Sequence, residues 1–187
     1  MTTTFHWLDP QRWADLEALF GPKGACGGCW CMYWRLPQRA FEEGKGDPNR
    51  HALRVIVENE ARPGILAYVD EQPVGWLALA PRETYGRLAR SKILAPVDSA
   101  PVWSITCFFV ARGFRRQGLT VALLQAAVGM VRERGGRVLE GYPVEPKEKL
   151  PDPFVYTGLA AAFRKAGFVE VARRSATRPV MRFTIAE

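Results

Sequence analysis

Between residues 102 and 134 the hydrophobic period of the chain changes once and abruptly. Residues 102–110 are an apolar run rich in β-branched and aromatic side chains, which predicts a central strand. A short basic turn follows, Arg112-Gly113-Phe114-Arg115-Arg116-Gln117-Gly118. Residues 117–134 then carry Leu119, Leu123, Ala126, Ala127 and Met130 at helical spacing, predicting an amphipathic helix that buries this stripe. Gly135-Gly136 closes it.

The same reading extends to both sides. Residues 3–8 predict a first strand, and Asp9-Pro10 opens a helix reaching Phe20, with Asp9 as N-cap and Trp13, Leu16, Leu19 and Phe20 inward. Asp47-Pro48 starts another helix, with Leu53, Val55, Ile56 and Val57 on its inner side. Residues 65–69 and 74–80 read as a hairpin joined by Asp70-Glu71-Gln72-Pro73, and 81–100 as a surface loop with one helical turn. Downstream come a strand over 137–142, a loop over 143–153, a helix over 157–166, and antiparallel strands over 169–172 and 180–185. Residues 21–46 have no clear period; they hold Cys26, Cys29 and Cys31, the aromatics Trp30, Tyr33 and Trp34, and a short helix. The order predicts one α/β (α+β) domain over 1–187, with a helical part over 1–64 carrying the cysteine loop 26–31, and a core over 65–187.

Composition narrows the class. A length of 187 residues suits one such domain. The net charge of +7 would serve nucleic acid, an anionic membrane or a phosphorylated cofactor. The basic residues are spread along the chain without a block of five, which disfavours a polybasic tail and gives no nucleic-acid readout surface. No apolar run approaches the roughly 18 residues of a membrane span. The N-terminus lacks the basic and apolar regions of a signal peptide, so a cytoplasmic protein is expected, its four cysteines as thiols.

A strand that delivers a glycine-containing turn to a helix N-terminus makes an anion site, because free N–H groups and the positive end of the helix dipole converge there. This turn is also cationic, which points to a polyphosphate ligand. Arg115-Arg116-Gln117-Gly118-Leu119-Thr120 resembles the R/Q-x-x-G-x-G/A signature of the GNAT superfamily of acetyl-CoA-dependent N-acetyltransferases. Phe109-Val110 before it and Leu123-Leu124 after it fit that family's strand and helix; Thr120 departs from its usual Gly or Ala. The resemblance covers residues 102–168 and implies a mixed, mostly antiparallel sheet flanked by helices, with a V-shaped splay between the two central strands.

It further implies acetyl-CoA as co-substrate. Backbone N–H groups over 115–120 would surround the diphosphate, and Arg112, Arg115 or Arg116 would add charge. Gln117, Gly118, Leu119 and Thr120 complete the loop; a side chain at Gly118 would block the backbone's approach to phosphate. Main-chain contacts to the pantetheine arm would come near Phe108, Phe109 and Val110. Without its flanking strand and helix, the same loop would be an arginine-rich surface cap. Phe163-Arg164-Lys165-Ala166-Gly167-Phe168 looks like the family's late Y-x-x-x-G-F segment, whose tyrosine protonates the leaving thiolate, but here Phe163 stands in its place. Tyr156, seven residues earlier, is the substitute acid, or else a tyrosine packed at a helix entrance.

A primary amine with a pKa near 10 needs a proton acceptor. Glu140 is an acidic residue in an apolar strand and suits that role, or it pairs with an arginine; Glu58 and Glu60 are further candidates. Three closely spaced cysteines without a nearby histidine fall short of a zinc site and read as packed thiols, with a redox role open.

The leading function is acetyl transfer to a primary amine by direct attack in a ternary complex. The acceptor is a small molecule or a peptide amine, with no nucleic-acid or membrane partner; aminoglycosides, polyamines, amino acids, peptide N-termini and protein lysines all remain open. The basic total disfavours a highly cationic acceptor. A changed acyl group is a second reading. A non-catalytic acyl-CoA-binding or sensing domain with a metal- or redox-responsive cysteine loop is a third. A homodimer is one oligomeric state the sequence allows.

Overall fold

The computed structural model describes residues 2–59, 61–147, 151 and 154–186; positions 148–150 and 152–153 of the expected 143–153 loop lie outside the described residues. Its strands are β1 (Thr3–Trp7), β2 (Gly64–Val69), β3 (Gln72–Pro81), β4 (Trp103–Val110), β5 (Val138–Gly141), β6 (Val169–Arg173) and β7 (Pro179–Thr184). The helices are α1 (Trp13–Phe20), α2 (Gln38–Glu43), α3 (Asp47–Glu58), α4 (Gly86–Arg90), α5 (Leu119–Glu133) and α6 (Ala160–Lys165). The strands form one seven-stranded sheet in the order β1-β2-β3-β4-β5-β7-β6. Neighbours are antiparallel except at the centre, where β4 and β5 run parallel and α5 supplies the crossover that parallel strands require. No helix among the described residues is long and apolar enough to cross a membrane.

Local chemistry accounts for the flanking elements. Asp9 accepts a hydrogen bond from the Arg12 N–H (3.0 Å), and a 3-10 turn over Pro10–Arg12 leads into α1. The β2–β3 connection is tighter than the sequence suggests. Val69 faces Gln72, so the loop is Asp70-Glu71 alone, with φ of 46° and 67°, while Gln72 and Pro73 join β3. On α3 the inward line is Asn49, Leu53 and Val57, four residues apart. Val55 lies half a turn away from Leu53 and is exposed, which corrects the inner-face expectation for that residue. On α5 the fully buried stripe is Leu123, Leu124, Ala127 and Val131, with Leu119, Ala126 and Met130 as its half-buried flank.

The sheet is covered on both faces. One face (Ile65, Leu77, Leu79, Ile105, Phe108, Leu139, Met181) packs against α5 and α6 through Leu123, Leu124, Ala127 and Phe163. The other (Leu66, Tyr68, Trp76, Ala78) packs against the N-terminal part through Trp13, Phe20, Trp30, Met32, Phe41 and Leu53.

At the centre the two halves part. β4 and β5 pair only from Trp103–Leu139 to Ile105–Gly141, whereas β4 stays paired with β3 as far as Val110. The β3–β4 register shifts, Ala78 facing Cys107 but Leu79 facing Ile105, so Thr106 is an extra residue that bends β4 away. The helix expected from residue 157 starts at Ala160, because residues 156–159 are drawn out along the opening: the Val144 N–H donates to the Gly158 carbonyl (2.9 Å) and Val144 bridges Leu159.

Gly141 ends β5 beneath the Phe163 ring; a Cβ there would stand 2.1 Å from Phe163 Cε1. Phe163 is itself fully buried and cannot swing aside. Gly141→Ala should therefore lower the unfolding free energy by about 1–3 kcal/mol in a urea titration; an unchanged midpoint would show that the two halves separate more freely than this packing implies.

Candidate active site

Backbone direction in the open part of β4 follows from three hydrogen bonds. The Ala111 N–H donates to Val74 O (2.9 Å) on the β3 side, whereas the Phe108 N–H donates to Tyr156 O (2.6 Å) and Val110 O accepts from Arg115 Nε (2.9 Å). Peptide groups alternate along a strand, so Phe108 and Val110 turn their N–H and C=O into the splay. Phe109 turns its own toward Trp76 of β3 and packs its ring edge-on to Phe20 (5.6 Å), so the main-chain contact expected of Phe109 falls to its neighbours.

Beyond Val110 the chain makes a 3-10 turn over Arg112–Phe114 and enters α5 through two left-handed residues, Arg116 (φ 61°) and Gly118 (φ 83°). Two side chains brace this loop: Arg115 Nε on Val110 O, and Gln117 Nε2 on Gly113 O (2.8 Å). The first helical bond runs from the Ala122 N–H to Gly118 O (3.1 Å). The N–H groups of Leu119, Thr120 and Val121 therefore precede the ladder, and no side chain among the described residues caps them. The first turn carries no acidic residue, so nothing from α5 itself offsets the dipole there. Open space surrounds the position a Gly118 Cβ would take, and Arg112, Arg116 and Gln117 are exposed. This end of the helix is uncapped and open to solvent.

The tyrosine position of the resembling segment, Phe163, belongs to the core, edge-on to Phe108 (6.0 Å) and Phe168 (5.2 Å), and brings no hydroxyl. Tyr156 is at the splay: its carbonyl holds the Phe108 N–H, and its half-buried ring meets Tyr33 edge-on (6.3 Å). Burial, with Tyr33 and Cys107 adding to it, pushes the Tyr156 phenol above its ordinary range. Arg178 and the nearby Trp34 indole, which forms no hydrogen bond within geometric limits, pull the other way. Tyr156 thus keeps its proton at neutral pH.

Glu140 is held elsewhere. It lies opposite Ser104 and Arg182 in the still-paired part of the sheet, almost fully buried. One carboxylate oxygen accepts from Arg182 Nε (2.9 Å) and Nη2 (2.5 Å), and the other from the Tyr142 hydroxyl (3.3 Å). Tyr142 also meets Ser104 Oγ (2.7 Å) and Arg82 Nη1 (2.6 Å), and Arg182 reaches on to Asp98 (2.6 Å). Both oxygens being engaged, the geometry favours the ion-pair alternative over the base. Glu58 is exposed on α3, and Glu60 lies outside the described residues.

The cysteines differ in burial. Cys26 is exposed, Cys29 half-buried, and Cys31 buried, taking the Trp76 indole N–H (3.2 Å) and lying 3.5 Å from Cys107 of β4. Neighbouring thiols and burial raise the Cys29 and Cys31 pKa values well above normal, the opposite of what a reactive thiolate needs. Among the described residues no group of three His, Cys, Asp or Glu could hold a metal ion. The concavity lined by Asp47, Arg50, His51 and Arg54 lies on the outer surface of α3 and shares no residue with the splay. Tyr33 and Trp34, from the aromatic run the sequence singles out, and Arg178, for which the sequence carries no signal, converge on Tyr156 through the fold, and Arg87 lies on the Tyr33 ring.

The model of the Acetyltransferase (GNAT) family matches residues 30–145, more than half of the chain. The fold is shared with solved structures at low identity. A GNAT-family acetyltransferase from Streptococcus agalactiae has a TM-score of 0.56 at 14% identity, over 99% of this chain and 96% of that one. An N-acetyltransferase from Staphylococcus aureus Mu50 has 0.56 at 10% identity, over all of both chains. The PaiA N-acetyltransferase of Thermoplasma acidophilum, solved with coenzyme A, has 0.54 at 12%, over 98% and 99%. No curated protein matches the chain by sequence.

Removing one partner of a buried ion pair strands the other. Glu140→Ala should cost about 3–5 kcal/mol of unfolding free energy; a carboxylate needed only for chemistry would leave the denaturant midpoint where it is.

Proposed function

This chain belongs to the Acetyltransferase (GNAT) family, and from that premise we propose that it transfers an acetyl group from acetyl-CoA to a primary amine, by direct attack within a ternary complex. The observation that carries the reading is the continuity of two unfilled backbone sites along β4. The splay exposes the N–H of Val110 and the carbonyl of Phe108, and nine residues beyond Val110 the uncapped start of α5 exposes three N–H groups. A ligand with an amide-bearing arm and a diphosphate matches that sequence of donors and acceptors.

The diphosphate would lie against the N–H groups of Leu119, Thr120 and Val121, with Arg112 and Arg116 supplying charge and Arg115 and Gln117 bracing the loop. The arm would run along the open edge of β4 and donate an amide N–H to the Phe108 carbonyl. The Phe108 N–H is already satisfied by Tyr156, which fixes Tyr156 at the end of that path. The acceptor nitrogen, deprotonated, attacks the thioester carbonyl, and the Val110 N–H polarises its oxygen. As the C–N bond forms and the C–S bond breaks, Tyr156 gives its proton to the departing sulfur, the proton that the acceptor nitrogen sheds passes to solvent, and solvent reprotonates Tyr156. Glu140 supports the sheet beneath the site. Four free thiols accord with a cytoplasmic setting, where the acyl donor is available.

Calorimetry with acetyl-CoA tests the cofactor site. Binding by the wild type, abolished in a folded Gly118→Trp, is the expected pair of results; no wild-type binding would overturn the reading. Tyr156→Phe should lower kcat about 10²-fold while leaving the acetyl-CoA Kd unchanged. An unaltered kcat would remove Tyr156 from the chemistry.

A further inference from the structure

Around Tyr33 and Tyr156 the interior holds polar groups with nothing to bond. Trp34 Nε1, Arg87 Nη2, Arg178 Nε and Thr157 Oγ1 are buried without a hydrogen-bond partner among the described residues. They belong to one neighbourhood. The Arg87 guanidinium lies 4.0 Å from the Tyr33 ring centre, and the Arg87 N–H donates to Trp34 O (3.1 Å). Trp34 is edge-on to Tyr33 (5.2 Å), and Tyr33 to Tyr156 (6.3 Å). Arg178 acts electrostatically on both Tyr33 and Tyr156, and Thr157 follows Tyr156 in the chain.

Charge is unbalanced here as well. Arg87 and Arg178 each spend one N–H on a neutral carbonyl, Leu36 O (2.9 Å) and Tyr142 O (3.1 Å). Arg35 and Arg82 nearby bond the hydroxyls of Tyr85 and Tyr142 and main-chain carbonyls. None of these four arginines has a carboxylate within ion-pair distance among the described residues. Glu140, the acidic residue of the adjoining network, is taken by Arg182. Burial is strong enough to depress the Arg178 pKa. An unmade buried hydrogen bond is destabilising, and a half-buried guanidinium without a counter-charge adds to that. Such costs are recovered when an anion arrives.

We propose that these donors form the acceptor subsite, and that the acceptor is a small amine carrying a carboxylate, an amino acid in the simplest case. The assignment rests on the acetyltransferase reading above and names the substrate class of that same site. Three N–H groups from two guanidiniums and an indole suit a planar oxyanion. The location suits the reaction: Arg87 lies on the Tyr33 ring, Tyr33 is edge-on to Tyr156, and the carbonyl of Tyr156 holds β4 at Phe108. Tyr33 and Trp34 belong with the clusters on the N-terminal face of the sheet, whereas α5 packs on the other. The cationic lining also repels polyamines, whose charge has the same sign.

The test uses the full chain with saturating acetyl-CoA, measuring thiol release with the standard amino acids, the α-amide of each, and spermidine. Acetyl-CoA binding is followed in parallel by calorimetry. At least one amino acid should exceed its amide in kcat/KM by about 10²-fold or more, because the amide leaves the arginines uncompensated. Arg178→Gln and Arg87→Gln should each raise the KM for that amino acid about tenfold or more while the acetyl-CoA Kd stays put; circular dichroism verifies that each is folded, and either variant alone suffices. Amides or spermidine turning over as well as the amino acids would overturn the inference, as would turnover of no amino acid by an enzyme that binds acetyl-CoA, and both leave the acetyltransferase reading standing. Failure to bind acetyl-CoA removes that reading, and this inference with it.

Discussion

Everything distinctive in this molecule depends on β4 outrunning its parallel neighbour. β4 and β5 share three residue pairs, and then Thr106 bulges and β4 continues to Val110 with β3 alone on one side. Main-chain N–H and C=O groups at the centre of a sheet must be satisfied by something. The chain satisfies one of them, the Phe108 N–H, with the carbonyl of Tyr156, and in doing so draws residues 156–159 out of the helix they would otherwise begin. Tyr156 lies at the splay because the open strand recruits its carbonyl.

The two faces of the sheet divide the work. On one, α5 and α6 build a dry core around Leu123, Ala127 and Phe163, and the outward end of α5 presents its bare N–H groups. On the other, the N-terminal part lays Trp30, Met32 and Phe41 over Trp76, and α4 brings Arg87 against Tyr33. The first face is a rigid support for a phosphate loop. The second is polar, cationic and incompletely bonded where it approaches the splay, as a surface must be if it is to recognise something else.

Legibility followed the range of the interactions. The basic turn between strand and helix could be read because glycine, arginine and the change of period all act within a dozen residues. The Asp9 cap and the helix of Trp13, Leu16 and Phe20 were readable for the same reason. Residues 21–31 resisted because they use left-handed backbone at Gly21, Gly24, Ala25, Gly27, Gly28, Trp30 and Cys31, a path with no period. Its close passage, where a Cβ on Gly28 would meet Gly46 N at 2.4 Å, joins segments eighteen residues apart in sequence. Glu140 shows the other limit: an acid in an apolar strand suits a base or an ion pair equally until Arg182 is found directly across the sheet.

The sequence by itself determined the element order, the basic turn between strand and helix and the absence of a hydroxyl at position 163, since each is written in side-chain identity and short-range spacing. Only the tertiary structure decided where the sheet opens, which backbone groups face the opening, and that Tyr33, Trp34, Arg87, Thr157 and Arg178 gather beside it. The physical reason is that a splay and a pocket are properties of pairings between distant segments, and register, bulge and unspent hydrogen bonds have no signature until those segments meet.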